Sequence, residues 1–180
     1  MSDRLRAAVA DPPYIGQSAK HYADHPDYAG EVDHEHLIER LRTGYDAWAL
    51  CLHSPATYRV LDICERQGLS LYDGDIRLMS WVKPFAAFKR NVRVAYAWEP
   101  VIVKPALRLE GAIPTRDFIA EQITMKRGLT GVKPESMCHW LFAVMGLRPG
   151  LDSLDDLFPG SGAVMRAWET WNQQMNLEAA

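Results

Sequence analysis

No apolar run in the sequence approaches the roughly 20 residues that a membrane-spanning helix needs. No apolar stretch follows the charged opening Met-Ser-Asp-Arg-Leu-Arg either, so a secretory leader is not expected. Cysteine is scarce: Cys51, Cys64 and Cys138 lie far apart and form no Cys-x-x-Cys pair. Two stand in apolar stretches and Cys64 in an amphipathic one, which reads as buried, reduced thiols in a cytoplasmic protein. A basic excess is also missing. With 20 Lys+Arg against 23 Asp+Glu and a formal net charge of −3, the composition does not advertise nucleic-acid binding. A polynucleotide substrate would have to be met by a local patch. No Ser/His/Asp or Cys/His constellation for nucleophilic catalysis stands out.

What is present suits one domain. The 180 residues are 48% hydrophobic, enough for a real core without disulfide or metal staples, and nothing marks a linker or repeat. Residues 1–180 are therefore taken as a single unit. Strand-like runs alternate with helical segments, which predicts an α/β fold with a mostly parallel sheet flanked by helices.

Arg6 to Ala10 reads as a short buried strand running into a Pro-Pro pair. Asp33 to Thr43 reads as a helix capped by Asp33, with Leu37, Ile38 and Leu41 on one face. Ala47 to Leu52 is a buried strand, after which Ser54-Pro55 caps and opens a helix that stops at Gly68. Ile76 to Val82 and Tyr96 to Val103 are further strands; Pro100 lacks a donor and places the second at an edge or a bulge. Pro134 opens a helix through Met145 that ends at Gly146, with Met137, Trp140, Leu141 and Val144 inward. A strand-like stretch near Leu154–Phe158 meets Pro159-Gly160-Ser161-Gly162. The final helix carries Val164, Ala167, Trp168, Trp171 and Met175 as its apolar stripe.

Two motifs carry chemistry. In Asp11-Pro12-Pro13-Tyr14, a carboxylate and a backbone carbonyl can accept the two hydrogens of an exocyclic amine. Such an amine is a poor nucleophile because its lone pair is conjugated into the ring. Accepting both hydrogens localises that pair on nitrogen. Asp11 supplies the carboxylate and Pro12 the carbonyl, while Pro12 and Pro13 stiffen the chain. Tyr14 offers a flat face for an extruded base, worth roughly 1–3 kcal/mol in comparable sites. In Asp156-Leu157-Phe158-Pro159-Gly160-Ser161-Gly162, glycines between a strand and a helix let a ligand approach the backbone. The helix N-terminus there favours an anionic group. Taken singly, these motifs also read as a proline turn and a tight strand-to-helix turn.

Together the two segments resemble the nucleic-acid amino-methyltransferases of permuted order, in which the catalytic tetrapeptide precedes the cofactor loop. Lys133-Pro134 is similar to the Lys-Pro segment ahead of that loop. The resemblance implies a reduced, permuted Rossmann-like fold, S-adenosylmethionine as cofactor, and transfer to the 6-amino group of adenine in DNA or RNA. It implies Asp11, Pro12, Pro13 and Tyr14 as catalytic residues. Around the cofactor it implies Lys133, Asp156, Phe158, Gly160, Ser161 and Gly162, the loop holding the methionine carboxylate. Trp98-Glu99-Pro100-Val101-Ile102-Val103-Lys104 is similar to a strand of the messenger-RNA adenine methyltransferases whose final lysine bonds that carboxylate, which nominates Lys104; a solvated strand-end lysine is the other reading. The same family ends on an Asn-Gln pair at the cofactor ribose, which nominates Asn172 of Asn172-Gln173. Full permuted enzymes continue past the glycine loop with strands that supply a ribose-binding acid. Here 18 residues follow Gly162, and they read as a helix.

Lys83, Lys89, Arg90 and Arg93 fall within eleven residues that contain no acid and are interleaved with Phe85 and Phe88. This loop either straddles phosphates and stacks a base or is a solvated connection; Lys126-Arg127-Gly128 has the same two readings. His34 and His36 are two apart on a helix and face opposite ways, so they form no metal site. The stretch from His21 to His36 is taken as a solvated segment over the site mouth; Lys20, His21 and Tyr22 follow the tetrapeptide closely enough to touch substrate, and plain surface exposure is their other reading. Two other functions stay open: a non-catalytic nucleic-acid-binding subunit of a methyltransferase complex, and a methyltransferase for cytosine or a small-molecule amine. Association with a second copy or a partner subunit also stays open.

Overall fold

The computed structural model describes residues 4–16, 30–85, 93–108, 114–126 and 129–178. Its centre is a six-stranded sheet in the order β5-β3-β4-β2-β1-β8. The strands are β1 (Arg6–Ala10), β2 (Ala47–Cys51), β3 (Arg77–Val82), β4 (Trp98–Lys104), β5 (Phe118–Ala120) and β8 (Ser153–Asp156). A separate hairpin joins β6 (Thr124–Lys126) to β7 (Leu129–Val132). β1 pairs in parallel with both β2 and β8, and β3 pairs in parallel with β5; β4 runs antiparallel to β2 and β3. One strand in six is reversed, so the sheet is mixed and mostly parallel. The carboxyl ends of β1, β2, β3 and β8 and the amino end of β4 therefore share one rim.

Alternation along the strands feeds two cores. Ala7, Val9, Ala47, Ala49, Cys51, Met79, Trp81, Val101 and Val103 face α3 (Glu135–Met145) and α4 (Ala163–Glu178). Ala8, Ala10, Trp48, Leu50 and Ile102 face α1 (His34–Gly44) and α2 (Thr57–Arg66). β2 is buried on both faces, which is why Ala-Trp-Ala-Leu-Cys is continuously apolar rather than alternating. Each large side chain enclosed here, such as Trp48, Ile102 or Phe142, contributes about 1.5–3 kcal/mol. The three cysteines are free thiols and buried. No helix among the described residues is long and apolar enough to cross a membrane.

Local chemistry sets the helix ends. Asp33 caps α1 by accepting from the backbone N–H groups of Glu35 (2.9 Å) and His36 (3.1 Å). Gly146 ends α3 at φ 77°, a left-handed conformation that its missing side chain allows. Two expectations need correction. Pro100 lies in an interior strand, one residue past the reach of β2: its carbonyl accepts from Leu52 N–H at 3.0 Å, and its missing donor falls where that pairing ends. Ser54 does not cap by its side chain; Ser54–Ala56 form a 3-10 turn that leads into α2. Val144 packs against the core from a partly buried position, as expected, and Phe142 and Met145 fill it further.

Asp152 ties the far rim together. Its buried carboxylate accepts from Leu5 N–H (2.8 Å) and Arg148 N–H (2.7 Å) and is paired with Arg108 (2.8 Å). Burial alone would raise its pKa, but Arg108 and the two N–H groups hold it below the ordinary carboxylate range. Its contribution to stability is thus present above about pH 4 and is lost as pH falls through the lowered value. Asp152→Asn should cost about 2 kcal/mol at pH 7. The gap to wild type should close in urea titrations at acid pH; a pH-independent difference would deny the carboxylate this role.

Candidate active site

The tetrapeptide sits where β1 ends. Pro12 is buried and Asp11, Pro13 and Tyr14 are half-buried, so the segment lines the rim rather than projecting from it. β8 lies beside β1, with Val9 in register with Asp156 and Leu157 N–H bonded to the Val9 carbonyl at 2.9 Å. That pairing sets the glycine loop next to Asp11. The carboxyl ends of adjacent parallel strands, at the point where strand order reverses, are where open α/β sheets bind ligands.

Asp156 accepts from Phe158 N–H through Oδ1 at 3.2 Å. Its Oδ2 is buried with no partner among the described residues. Burial first, and the nearby Asp11 charge, raise the Asp156 pKa, while the Phe158 N–H works against them. The loop then turns: Gly162 N–H bonds to the Pro159 carbonyl at 2.6 Å, Gly160 and Gly162 take φ of 44° and 71°, and α4 begins at Ala163. A side chain at Gly162 would be strained by that φ, and its Cβ would stand 3.0 Å from the Arg166 Nη1 atom. Alongside β8 an open surface hollow is lined by Arg40, Asp155, Asp156, Leu157, Pro159 and Met165.

Around Asp11 and Tyr14 the charges are paired. Lys133, between β7 and α3, is 6% exposed and forms an ion pair with Asp11. Burial would lower its pKa; Asp11 foremost, with Cys51 and Glu99, more than reverses this and keeps the ammonium charged. The Tyr14 hydroxyl donates to Glu99 Oε1 at 2.7 Å. Glu99 in turn is ion-paired to Lys83, the two side chains being 16% and 18% exposed. Burial, then Glu99, raises the Tyr14 pKa, so the phenol stays a donor. The Tyr14 ring stacks on His53 (4.9 Å between centroids, 15° between planes), and His53 meets Tyr96 edge-on at 5.2 Å. Trp81 is near both cations, its ring centroid 4.7 Å from Lys83 Nζ and 5.9 Å from Lys133 Nζ.

The structure thus brings together Asp11, Pro12, Pro13, Tyr14, Lys83, Lys133, Asp156, Phe158, Gly160, Ser161 and Gly162 at one rim. Lys104 is not there. Because β4 runs antiparallel, its last residue falls at the opposite rim, where Lys104 Nζ donates to the Asp46 carbonyl at 2.7 Å. Asn172 is not there either. α4 starts at the glycine loop and runs away from it, about 14 Å by residue 172 at 1.5 Å per residue, and Asn172 accepts from Gly150 N–H at 2.9 Å. Arg93 is exposed on the loop entering β4, at the site's rim. Lys20, His21, Tyr22, Phe88, Lys89, Arg90, Arg127 and Gly128 lie outside the described residues. The buried His34 bonds to the Val32 carbonyl through Nδ1 at 2.9 Å. Glu99, His53 and Trp81 are site residues that sequence reasoning misses. Glu99 belongs to the very strand that nominated Lys104, and the strand's direction decides which end meets the tetrapeptide.

No family model matches the sequence, and no curated protein matches it. Solved structures do. The crystal structure of the M1.HpyAVI–SAM complex matches with a TM-score of 0.61 at 15% identity, over 94% of this chain and 79% of that one. The crystal structure of M1.HpyAVI matches with a TM-score of 0.55 at 14% identity, over 94% and 78%. The chain therefore has a Rossmann-like methyltransferase fold, a mostly parallel mixed sheet flanked by helices.

Proposed function

We propose that this chain is an S-adenosylmethionine-dependent amino-methyltransferase of permuted order that modifies the 6-amino group of adenine in DNA or RNA. One observation carries the reading: the Asp11 carboxylate and the Asp156–Gly162 loop stand side by side at the carboxyl ends of adjacent strands. That juxtaposition suits an amine acceptor site next to a cofactor site. The likeness to a fold solved with SAM supports it as well.

The residues present fit the cofactor. The unpartnered buried Oδ2 of Asp156 suits an ammonium group, and the glycine turn at the start of α4 suits a carboxylate. When bound, S-adenosylmethionine supplies an electrophilic methyl on a sulfonium. Asp11 and the Pro12 carbonyl accept the two amine hydrogens, which concentrates the lone pair on nitrogen. Tyr14, backed by His53, holds the base by its flat face. A base in a duplex would have to leave its stack to arrive there. The protein's work is then chiefly alignment of amine and methyl.

Calorimetric titration with S-adenosylmethionine, followed by transfer of labelled methyl to oligonucleotides with and without adenine, tests this. Saturable binding and adenine-dependent transfer are expected. Transfer to adenine-free oligonucleotides or only to small amines would move the target to cytosine or a small molecule. The distance of Lys104 and Asn172 from the loop favours one second reading, a nucleic-acid-binding subunit whose cofactor site is completed by a partner. No binding by the isolated chain would select it.

A further inference from the structure

The resemblance nominates Lys133 for the cofactor, and one of the two readings of the basic loop gives Lys83 to phosphate. We infer instead that both are positioning residues for the tetrapeptide: Lys133 holds Asp11, and Lys83, through Glu99, holds Tyr14. The inference rests on the methyltransferase reading above.

Both amino groups are already committed. Lys133 is buried against Asp11, and Lys83 against Glu99, whose other contact is the Tyr14 hydroxyl. Turning either lysine toward an outside ligand would leave a carboxylate without its counter-charge in a poorly solvated place. Both cations also rest against the same indole, Trp81, which is itself fixed by its Nε1–H bond to the Glu121 carbonyl at 2.6 Å. Trp81 is buried, so it has little room to follow a lysine that moves away. The two pairs thus brace the two ends of the tetrapeptide from a common wall.

What this bracing supplies is orientation in advance of substrate. Lys133 engages Asp11 through Oδ2, which leaves Oδ1 as the acceptor for an amine hydrogen. Glu99 fixes the Tyr14 ring at its hydroxyl and His53 fixes it by its face, so the platform does not rotate. Acceptor and platform are then aligned before binding, where a misplacement of about 1 Å can cost roughly 100-fold in rate. A lysine reading phosphate would instead be solvent-exposed and would show itself in the salt dependence of binding.

The test compares Lys133→Met, Lys133→Arg, Lys83→Met and Lys83→Arg with wild type in the full chain. For Lys133→Met, the S-adenosylmethionine Kd should stay within about threefold of wild type, the range of a lost surface contact. Its kcat should fall roughly 100-fold. For Lys83→Met, the slope of log affinity against log salt for an adenine-containing oligonucleotide should not change, while kcat falls roughly 10- to 100-fold. The arginine variants keep the charge and should recover part of kcat; if a methionine variant fails to fold, the arginine variant is read on the same scales. A Kd weakened by about tenfold or more with kcat kept would return Lys133 to the cofactor. A slope smaller by about one would return Lys83 to phosphate. A wild-type chain that neither binds S-adenosylmethionine nor turns over overturns the functional reading itself and takes the inference with it.

Discussion

Replacing Asp11 by asparagine will lower turnover roughly 100- to 1,000-fold and will also destabilise the fold by about 3–5 kcal/mol. The first effect follows from losing the charged acceptor. The second follows from Lys133, whose ammonium stays buried without its counter-charge. Loss of activity in Asp11→Asn is therefore ambiguous alone, and the double variant Asp11→Asn/Lys133→Met separates the causes. Removing both charges should restore most of the stability, because no buried charge is then left without its partner. It should restore none of the turnover.

The pH dependence gives an independent check on the same pair. In wild type burial, the largest single influence, lowers the Lys133 pKa, but Asp11 together with Cys51 and Glu99 outweighs it and the value is raised. Its stabilisation is thus complete below the unfolded lysine value of about 10.4 and is lost as pH rises through the folded value. In Asp11→Asn the raising effect of Asp11 is gone, while burial, the largest single influence, stays against the smaller opposing effects of Cys51 and Glu99. The folded value is expected to fall below the unfolded one, so that stability rises with pH. The gap between the two proteins should shrink from pH 7 toward pH 10 in urea unfolding. Curves that coincide at pH 7 would remove the ion pair from the account.

The parts of this molecule that were legible in its sequence are those fixed by neighbours along the chain. β1, β2 and α1 announce themselves by apolar spacing, and Asp33 by its place before Leu37 and Ile38. The tetrapeptide's position at a strand end follows from the short apolar run before it. What was not legible depends on strand order and direction. The antiparallel course of β4 is a property of the sheet, so Lys104 and Glu99 could not be assigned their opposite rims from the strand alone. The Lys83–Glu99 pair spans 16 positions across a loop, and basic residues in a loop look like a phosphate patch until their acids are found. β5 and β6 have three residues each, too few for a period to show. His53, between a strand and a proline turn, carries no pattern of its own; only the parallel pairing of β1 and β2 carries it to Tyr14.

Asp156→Ala should separate stability from cofactor affinity. The carboxylate is poorly placed for the unliganded protein: Oδ2 has no partner among the described residues, and burial raises its pKa. A carboxyl with a raised folded pKa stabilises below the ordinary carboxylate range near pH 4, and that advantage is lost as pH rises through the folded value. At neutral pH the group is thus a burden, offset in part by the bond it accepts from Phe158 N–H. Removing it should leave the unliganded fold within about 1 kcal/mol of wild type. The S-adenosylmethionine affinity should fall much further. A charge-assisted bond from a ligand ammonium to a buried carboxylate contributes about 1.5–3 kcal/mol, or roughly 10- to 150-fold in Kd. Melting curves and calorimetry on the same preparation decide it. A fold kept with affinity lost is what a residue that serves a ligand ammonium must show. Equal affinities would mean that the glycine loop binds nothing through Asp156, and the cofactor site would have to be sought elsewhere on the rim.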